Sequence, residues 1–454
     1  MTFQVTLAQL IDVLNATPLN VSESLRSQTA LGLNTDTRAI QSGELFLALR
    51  GESFDGHRFV AQAIAPHPES ATGAIAAIVE QPIDADVPQL VVENTLTAYQ
   101  TLGRWWREQF SIPVIAITGS VGKTTTKELV AAALSTAGSV LKTEANFNNE
   151  IGVPKTLLNL TAAHDFAVIE MGMRAAGEIE ELTHIAQPTI GLITNVGTAH
   201  IGRLGSREAI ARAKCELLAT LPPDSVAILN AENPLLLETA KTVWKGRTIT
   251  YGLSTGDLRG TIIDAQTIEV EGVHYPLPLP GEHNALNFLA VLAMMRSLQL
   301  DDAPLRQGIT VNLPEGRAQQ YTLPNDIVLL DETYNAGAES MVAALKLLAQ
   351  TPGTRRIAVL GPMKELGDYT EELHRQVGEQ VEALKIDALY ILDTGAEGTA
   401  IAQGATTIPT QQFDTHDELI EHLVKVVEKG DRMLFKASHA VGLDRVVNAL
   451  KARL

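Results

Sequence analysis

Apolar and polar positions follow one another along this chain in three different rhythms. Up to about Phe110, short apolar runs at 45–49, 75–79 and 90–92 are separated by loops, which predicts a mixed α/β unit. From Ile112 to about Pro314, β-like runs at 114–117, 167–171, 191–194 and 226–229 alternate with helical patterns. Strands that alternate with helices build a mostly parallel sheet covered on both faces. The rhythm restarts after a loop containing Pro314, Glu315 and Gly316, with runs at 327–330, 357–360, 388–392 and 433–435. Each run leads into a loop and a helical pattern, so the last third forms a second compact α/β unit. The expected architecture is α/β in three domains, at 1–110, 111–316 and 317–454, with no fixed-period repeat. A length of 454 residues suits two to three cores.

Composition narrows the setting. Hydrophobic residues make up 45% and charged residues 19%, the balance of an ordinary globular protein. A single cysteine, Cys215, excludes an internal disulfide and fits a reducing, cytoplasmic compartment. The first 25 residues hold no Lys or Arg, so the charged start of a secretory signal is missing. The most apolar helical stretch, 285–295, is too short to span a bilayer and is followed by Arg296. A formal net charge of −18 argues against general nucleic-acid binding, which needs clustered cations. It leaves room for small phosphorylated ligands held by one loop and a few cations. Nothing in the sequence requires more than a monomer.

The sharpest local signal is the run VIAITGSVGKTTTKE at 114–128. A buried strand ends at Thr118, a glycine turn follows, and a helical pattern begins near Lys123. Gly119 and Gly122 let the amides of Ser120, Val121 and their neighbours turn inward on a phosphate at a helix N-terminus. Lys123 would reach the β- and γ-phosphates, and the hydroxyls of Thr124 and Thr125 follow, with Thr124 suited to Mg²⁺. The spacing departs from the general P-loop, because Ile117 stands where the first glycine would be.

Several other groups are candidates for the same sheet edge. Glu170 ends the run at 167–171, and ligands of α/β sheets bind beyond the carboxyl ends of strands. It is either a Mg²⁺ ligand or a solvated strand-end carboxylate. His200, just past another strand, is either a metal ligand or a structural hydrogen bonder. Lys214 falls within the apolar stripe of a helix at 206–221, alongside Ile210, Ala213, Leu217, Leu218 and Leu221. It either snorkels its ammonium to the core's edge or is a desolvated lysine of lowered pKa, able to carry a modification. Asn284 and Asn287 lie one helical turn apart at the start of a helix. Asn284 would serve as N-cap, or the pair of amides would read an adenine edge. Asp331 ends the first strand of the last segment, where it suits either ribose hydroxyls or a turn.

Taken together and in order, these pieces resemble the Mur ligases over essentially the whole chain. The resemblance rests on TDTR at 35–38, GELF at 43–46 and DGH at 55–57. The centre adds TGSVGKTT at 118–125, NFNN at 146–149, EMGMR at 170–174, NVGTAH at 195–200 and AKCE at 213–216. The last third adds EGR at 315–317, DETYNA at 331–336 and GPMKELG at 361–367. It implies a domain that binds a UDP-linked substrate, a central ATPase and a Rossmann-like domain for the incoming amine. The branch it points to joins D-alanyl-D-alanine to UDP-N-acetylmuramoyl-tripeptide, a step of peptidoglycan synthesis.

The resemblance further implies that Lys123, Glu170, His200 and Lys214 are catalytic. Glu170 and His200 would hold Mg²⁺, and Lys214 would be carbamylated and hold a second Mg²⁺. Asn284 and Asn287 would face adenine, Arg317 the γ-phosphate and Asp331 the ribose of ATP. Thr37 and Arg38 would lie near the UDP moiety. Further substrate contacts are expected at His57, Asn146, Asn149, Tyr334, Asn335, Lys364, Ser438 and His439. Three departures stand out. Thr37 replaces the usual Ser, KASH at 436–439 replaces Lys-Gly-Ser-Arg, and the connection at 65–72 is longer than usual, as for a loop insertion. The rivals are a Mur ligase that adds a single amino acid, a folylpolyglutamate-type ligase and, in another class, a P-loop regulatory ATPase.

Overall fold

A computed structural model describes residues 3–51, 53–65 and 73–454. The chain is a three-domain α/β protein with one main sheet in each part. The N-terminal sheet runs Thr17–Leu19, Gln89–Val91, Ala76–Val79, Glu44–Leu47, Gly32–Asn34 in spatial order, and only the first pairing is antiparallel. The insertion expected at 65–72 lies, beyond Ala65, outside the described residues.

The central sheet has nine strands. Its core order is Val226–Asn230, Ile190–Ile193, Val114–Thr118, Phe166–Glu170, Val140–Lys142, all parallel. Strands Val114–Thr118 and Phe166–Glu170 are buried at every position, because helices cover both faces. The helix Glu282–Ser297 is buried along its whole middle, from Ala285 to Met295, apart from Leu286. An all-round apolar helix of this length belongs in a core and not in a bilayer, and it packs on the helix Lys123–Leu134. Among the described residues, no helix is long and apolar enough to cross a membrane.

Beyond Val226–Asn230 the sheet continues through Arg247–Gly252 and Leu258–Asp264, then turns antiparallel at Thr267–Val270 and Val273–Pro276. The apolar runs do not betray this extension. Arg259 and Thr261 stand exposed beside buried Leu258 and Gly260, and half-buried Thr267 and Glu269 alternate with buried Ile268 and Val270, so these strands bury one face at most.

The C-terminal sheet has six strands, ordered Gln319–Leu323, Ile327–Asp331, Asp431–Lys436, Arg355–Leu360, Ala388–Leu392, Thr410–Phe413. Four apolar runs were expected, and both additional strands, Gln319–Leu323 and Thr410–Phe413, are polar edges. Asp331 therefore closes the second strand of this unit and not its first. The expected cap at Asn284 is also corrected. The helix starts at Glu282 behind Gly281, whose φ of 100° suits glycine, and Asn284 is the third helical residue.

Candidate active site

The strand Val114–Thr118 delivers the phosphate loop to the open end of the helix Lys123–Leu134. Gly119 must be glycine, since a Cβ there would meet Thr194 Oγ1 at 1.9 Å, and its φ of 153° lies in the left-handed range. Gly122 sits at φ 85° with Asn287 Oδ1 3.0 Å from where a Cβ would be. That approach places Asn287, half the candidate adenine pair, against the loop itself. The loop is braced by Asn195. The Ser120 amide donates to its carbonyl at 3.0 Å and the Val121 amide to its Oδ1 at 2.9 Å. These two amides are thus engaged within the protein. The first helical bond runs from Thr126 N–H to the Gly122 carbonyl at 2.8 Å, so the amides of Lys123, Thr124 and Thr125 remain at the uncapped helix end. Lys123 Nζ donates to the Gly119 carbonyl at 2.8 Å.

Glu170 ends the neighbouring strand and is only 2% exposed. Asn148 Nδ2 donates to its Oε1 at 2.7 Å, while Oε2 is buried without a hydrogen-bond partner. The nearest cation to Oε2 is Lys127 Nζ at 4.0 Å, itself fully buried and donating to the Thr143 carbonyl at 2.8 Å. Lys214 is 1% exposed on the helix Arg207–Ala219, which Ser206 caps by accepting from the Ala209 amide at 3.2 Å. Burial holds its ammonium well below the usual lysine range, and the charge of Lys123 adds to the effect. The snorkelling account of Lys214 therefore fails. Burial also lowers His200, with opposing help from Glu365 and further lowering from Lys123 and Lys214. Burial likewise lowers Lys123, which feels Glu170 and Arg317. The four candidate catalytic groups thus share one electrostatic neighbourhood.

The C-terminal domain contributes a stacked arrangement. The Arg317 guanidinium lies 3.8 Å from the Tyr334 ring centroid, and Tyr334 lies 5.7 Å from the His439 ring. Arg317 Nε is buried without a partner. Lys436 is buried and donates to the Asn335 carbonyl at 2.8 Å, so Asn335 meets it through backbone while its side chain stays exposed. Asp331 Oδ1 accepts from the Thr333 amide at 3.1 Å and its hydroxyl at 2.6 Å, the turn arrangement, with Oδ2 left over. Ser438 Oγ accepts from the Lys364 amide at 3.0 Å, while Lys364 Nζ pairs with Glu397 at 2.8 Å. Asn284 Nδ2 donates to the Pro280 carbonyl at 2.8 Å.

The N-terminal candidates stand apart from the loop. Among the described residues, neither Thr37, Arg38 nor His57 makes a hydrogen bond or ion pair to residues 119–125. Arg38 is exposed and forks onto Asp36, whose carboxyl it holds at a pKa of about 2. His57 is 7% exposed and both ring nitrogens are taken: Nδ1 pairs with Asp55 Oδ1 at 2.7 Å, and Nε2 accepts from the Glu80 amide at 2.9 Å. No ring nitrogen is left for a ligand, so the expected substrate contact at His57 is corrected to a structural hydrogen-bonding role. Asn149 Oδ1 accepts from the Gly152 amide at 2.9 Å, and Asn146 is exposed.

Known proteins place this geometry. The family description "Mur ligase middle domain" matches residues 117–295, "Mur ligase, glutamate ligase domain" matches 316–439, and "Mur ligase family, catalytic domain" matches 30–102. A UDP-N-acetylmuramoyl-tripeptide–D-alanyl-D-alanine ligase from Synechocystis is 56% identical, over 95% of this chain and 94% of its own. The chain belongs to the Mur ligase family. Two solved Mur ligases share its fold. MurF from Acinetobacter baumannii has a TM-score of 0.89 at 33% identity, covering 99% of each chain. MurF from Thermotoga maritima in complex with ADP has a TM-score of 0.81 at 29% identity, covering 93% of this chain and 97% of that one.

The residues of this Mur ligase fit a cation at the edge of the central sheet. An orphaned buried carboxylate oxygen on Glu170 is an acceptor that lacks a donor, which a cation would complete. Among the described residues no three His, Cys, Asp or Glu side chains converge as a ligand set. Mg²⁺ suits so sparse a set, since phosphate oxygens and water fill most of its positions. Burial of Lys214 favours the neutral amine, the form that adds carbon dioxide. Sequence reasoning missed Asn148, Asn195 and Lys127, although Asn148 lies in the quoted NFNN segment. Only contact with Glu170 distinguishes it from Asn146 and Asn149.

Proposed function

We propose that this chain is an ATP-dependent ligase that adds D-alanyl-D-alanine to UDP-N-acetylmuramoyl-tripeptide, giving the pentapeptide precursor of peptidoglycan. The observation that carries the reading is the convergence of Lys123, Glu170, His200 and the desolvated Lys214 at the phosphate loop. The near-full-length likeness to a ligase of that name supports the choice of substrates. A reducing, cytoplasmic setting agrees with the single buried thiol of Cys215, and the enzyme is proposed to act as a monomer.

A carboxylate is a poor electrophile, so the reaction first gives it a leaving group. The terminal carboxylate of the tripeptide attacks the γ-phosphorus of ATP, the bond to ADP breaks, and an acyl phosphate forms. The dipeptide amine then attacks the acyl carbon, phosphate departs with the bonding pair, and the amine gives up a proton. Lys123 would bind the transferring phosphoryl group from the loop side and Arg317 from the C-terminal domain, offsetting repulsion among anionic reactants. Thr124, Glu170, His200 and carbamylated Lys214 would hold two Mg²⁺, which supply further charge neutralisation. Asn284 and Asn287 would meet the adenine, and the free Oδ2 of Asp331 the ribose. Thr37, Arg38, Asn146 and Asn149 would line the UDP-muramoyl side. Tyr334, Asn335, Lys364, Ser438 and His439 would line the dipeptide side. Closure of the C-terminal domain keeps water from the acyl phosphate.

The test is phosphate release from ATP across a matrix of UDP-muramoyl peptides and amines. Release should require both UDP-N-acetylmuramoyl-tripeptide and D-alanyl-D-alanine. Steady hydrolysis with neither present would instead mark a regulatory ATPase, and preference for a single amino acid would mark another ligase of the family.

A further inference from the structure

The loop that carries His200 is gripped from the C-terminal domain by two carboxylates. Glu339, at the start of the helix Ala338–Gln350, accepts from the Thr198 amide at 2.7 Å and from its hydroxyl at 3.0 Å. Glu365 places Oε2 2.5 Å from His200 Nδ1 and takes Arg203 Nη2 on Oε1 at 3.2 Å. Its backbone joins in, since the Gly202 amide donates to the Glu365 carbonyl at 3.2 Å. Gly202 and Gly367 are so close that a Cβ on either would meet the other's backbone at 2.5 to 2.8 Å.

Both partners of the central contact have unusual backbones. His200 has φ 65° and Glu365 has φ 64°, the left-handed region that side chains rarely adopt. Such conformations persist only where the surroundings over-determine them. Here each is pinned by the other's domain. The contact also has chemical content. A carboxylate accepts and does not donate, so Nδ1 of His200 carries the hydrogen and Nε2 keeps its lone pair. That is the tautomer a metal-ligating imidazole needs when it binds through Nε2.

We infer that Glu365 is a positioning residue that fixes the tautomer and orientation of His200, so that docking of the amine-binding domain readies the metal edge of the ATP site. The inference rests on the proposed role of His200 in holding Mg²⁺. Its consequence is ordering. Phosphoryl transfer becomes competent only when the domain that delivers the amine has docked, which limits loss of the acyl phosphate to water.

The test uses the full chain labelled with ¹⁵N-histidine, and the spectrum of His200→Ala assigns the His200 signals. In the metal-free wild type, His200 should show the Nδ1–H form, and Glu365→Ala should move it toward Nε2–H. With ADP present, Glu365→Ala should weaken Mn²⁺ binding, read by electron paramagnetic resonance, by about 10–100-fold. The Mg²⁺ concentration for half-maximal ligation should rise alongside it. Glu365→Gln, whose amide oxygen still accepts from Nδ1, should lose less. Tyr369→Phe removes another contact between the domains, the Tyr369 hydroxyl to the Gly205 carbonyl at 3.1 Å, and should change Mn²⁺ binding less than about twofold. Equal losses in Tyr369→Phe and Glu365→Ala would overturn the inference, because simple docking would then account for both. An unchanged tautomer and metal affinity in Glu365→Ala, beside a loss in His200→Ala, would overturn it and leave the metal role of His200 standing. Unchanged Mn²⁺ binding in His200→Ala would remove that role, and the inference with it.

Discussion

Asn148 donates to Glu170 Oε1 at 2.7 Å, while Oε2 of the same carboxylate is buried without a hydrogen-bond partner. The amide acts as a hinge stop: it fixes the carboxylate plane and aims the bare oxygen. A hydrogen bond to a charged group contributes about 1.5–3 kcal/mol. Asn148→Ala should therefore lower ligase activity by roughly 10–100-fold, most strongly at low Mg²⁺. Asn149→Ala, which leaves the bond from Asn148 to Glu170 intact, should not sharpen the dependence on Mg²⁺. A Mg²⁺ titration of both variants makes the comparison, and equal profiles would remove the aiming role.

Lys123 and Lys214 lie in one field, yet their expected chemistry differs. Lys123→Ala should abolish ATP turnover, since no other group takes its place at the helix end. Lys214→Ala should be nearly inactive but partly recover in added short carboxylic acids, because a carboxylate can occupy the space of the carbamate. Phosphate-release assays with and without added acetate separate the two. Full activity of either variant would break the scheme.

The chemistry was more legible in the sequence than the edges of the sheets. The strand Val114–Thr118 is wholly buried and reads as an uninterrupted apolar run, and the loop after it carries glycines whose φ values nothing else tolerates well. Lys214 stood out because a cation inside an apolar stripe is conspicuous. Gln319–Leu323 and Thr410–Phe413 left no such trace, since an edge strand can pair without burying most of its side chains. Contacts between domains were equally hidden. Glu365 and Glu339 belong to a different domain from the loop they hold, and no local spacing connects residues more than 140 positions apart.

His57 illustrates a residue whose motif suggested contact with substrate while the fold gives it a structural task. Its ring links Asp55 to the Glu80 amide and closes the turn beneath the strand Ala76–Val79. His57→Ala leaves the Glu80 amide unpaired, which costs about 1–3 kcal/mol. The expected outcome is a lower melting temperature with the KM for the UDP-linked substrate changed by no more than a few fold. A large rise in KM at unchanged stability would return His57 to the substrate site.

Acid sensitivity should arise where the central and C-terminal domains meet. Burial, with help from the charge of Lys436, lowers the His283 pKa from 6.5 to about 4. Above pH 6.5 the ring is neutral in the folded and unfolded chain alike, so it contributes no pH dependence there. Between about 6.5 and 4 the unfolded chain takes up a proton that the fold refuses, and stability falls as pH falls. The loss is complete below the folded pKa. Melting temperatures at pH 7.5 and pH 5 should therefore drop more for the wild type than for His283→Gln, whose amide cannot titrate. An equal drop in both would place the acid sensitivity elsewhere, such as at His374, whose pKa burial also lowers.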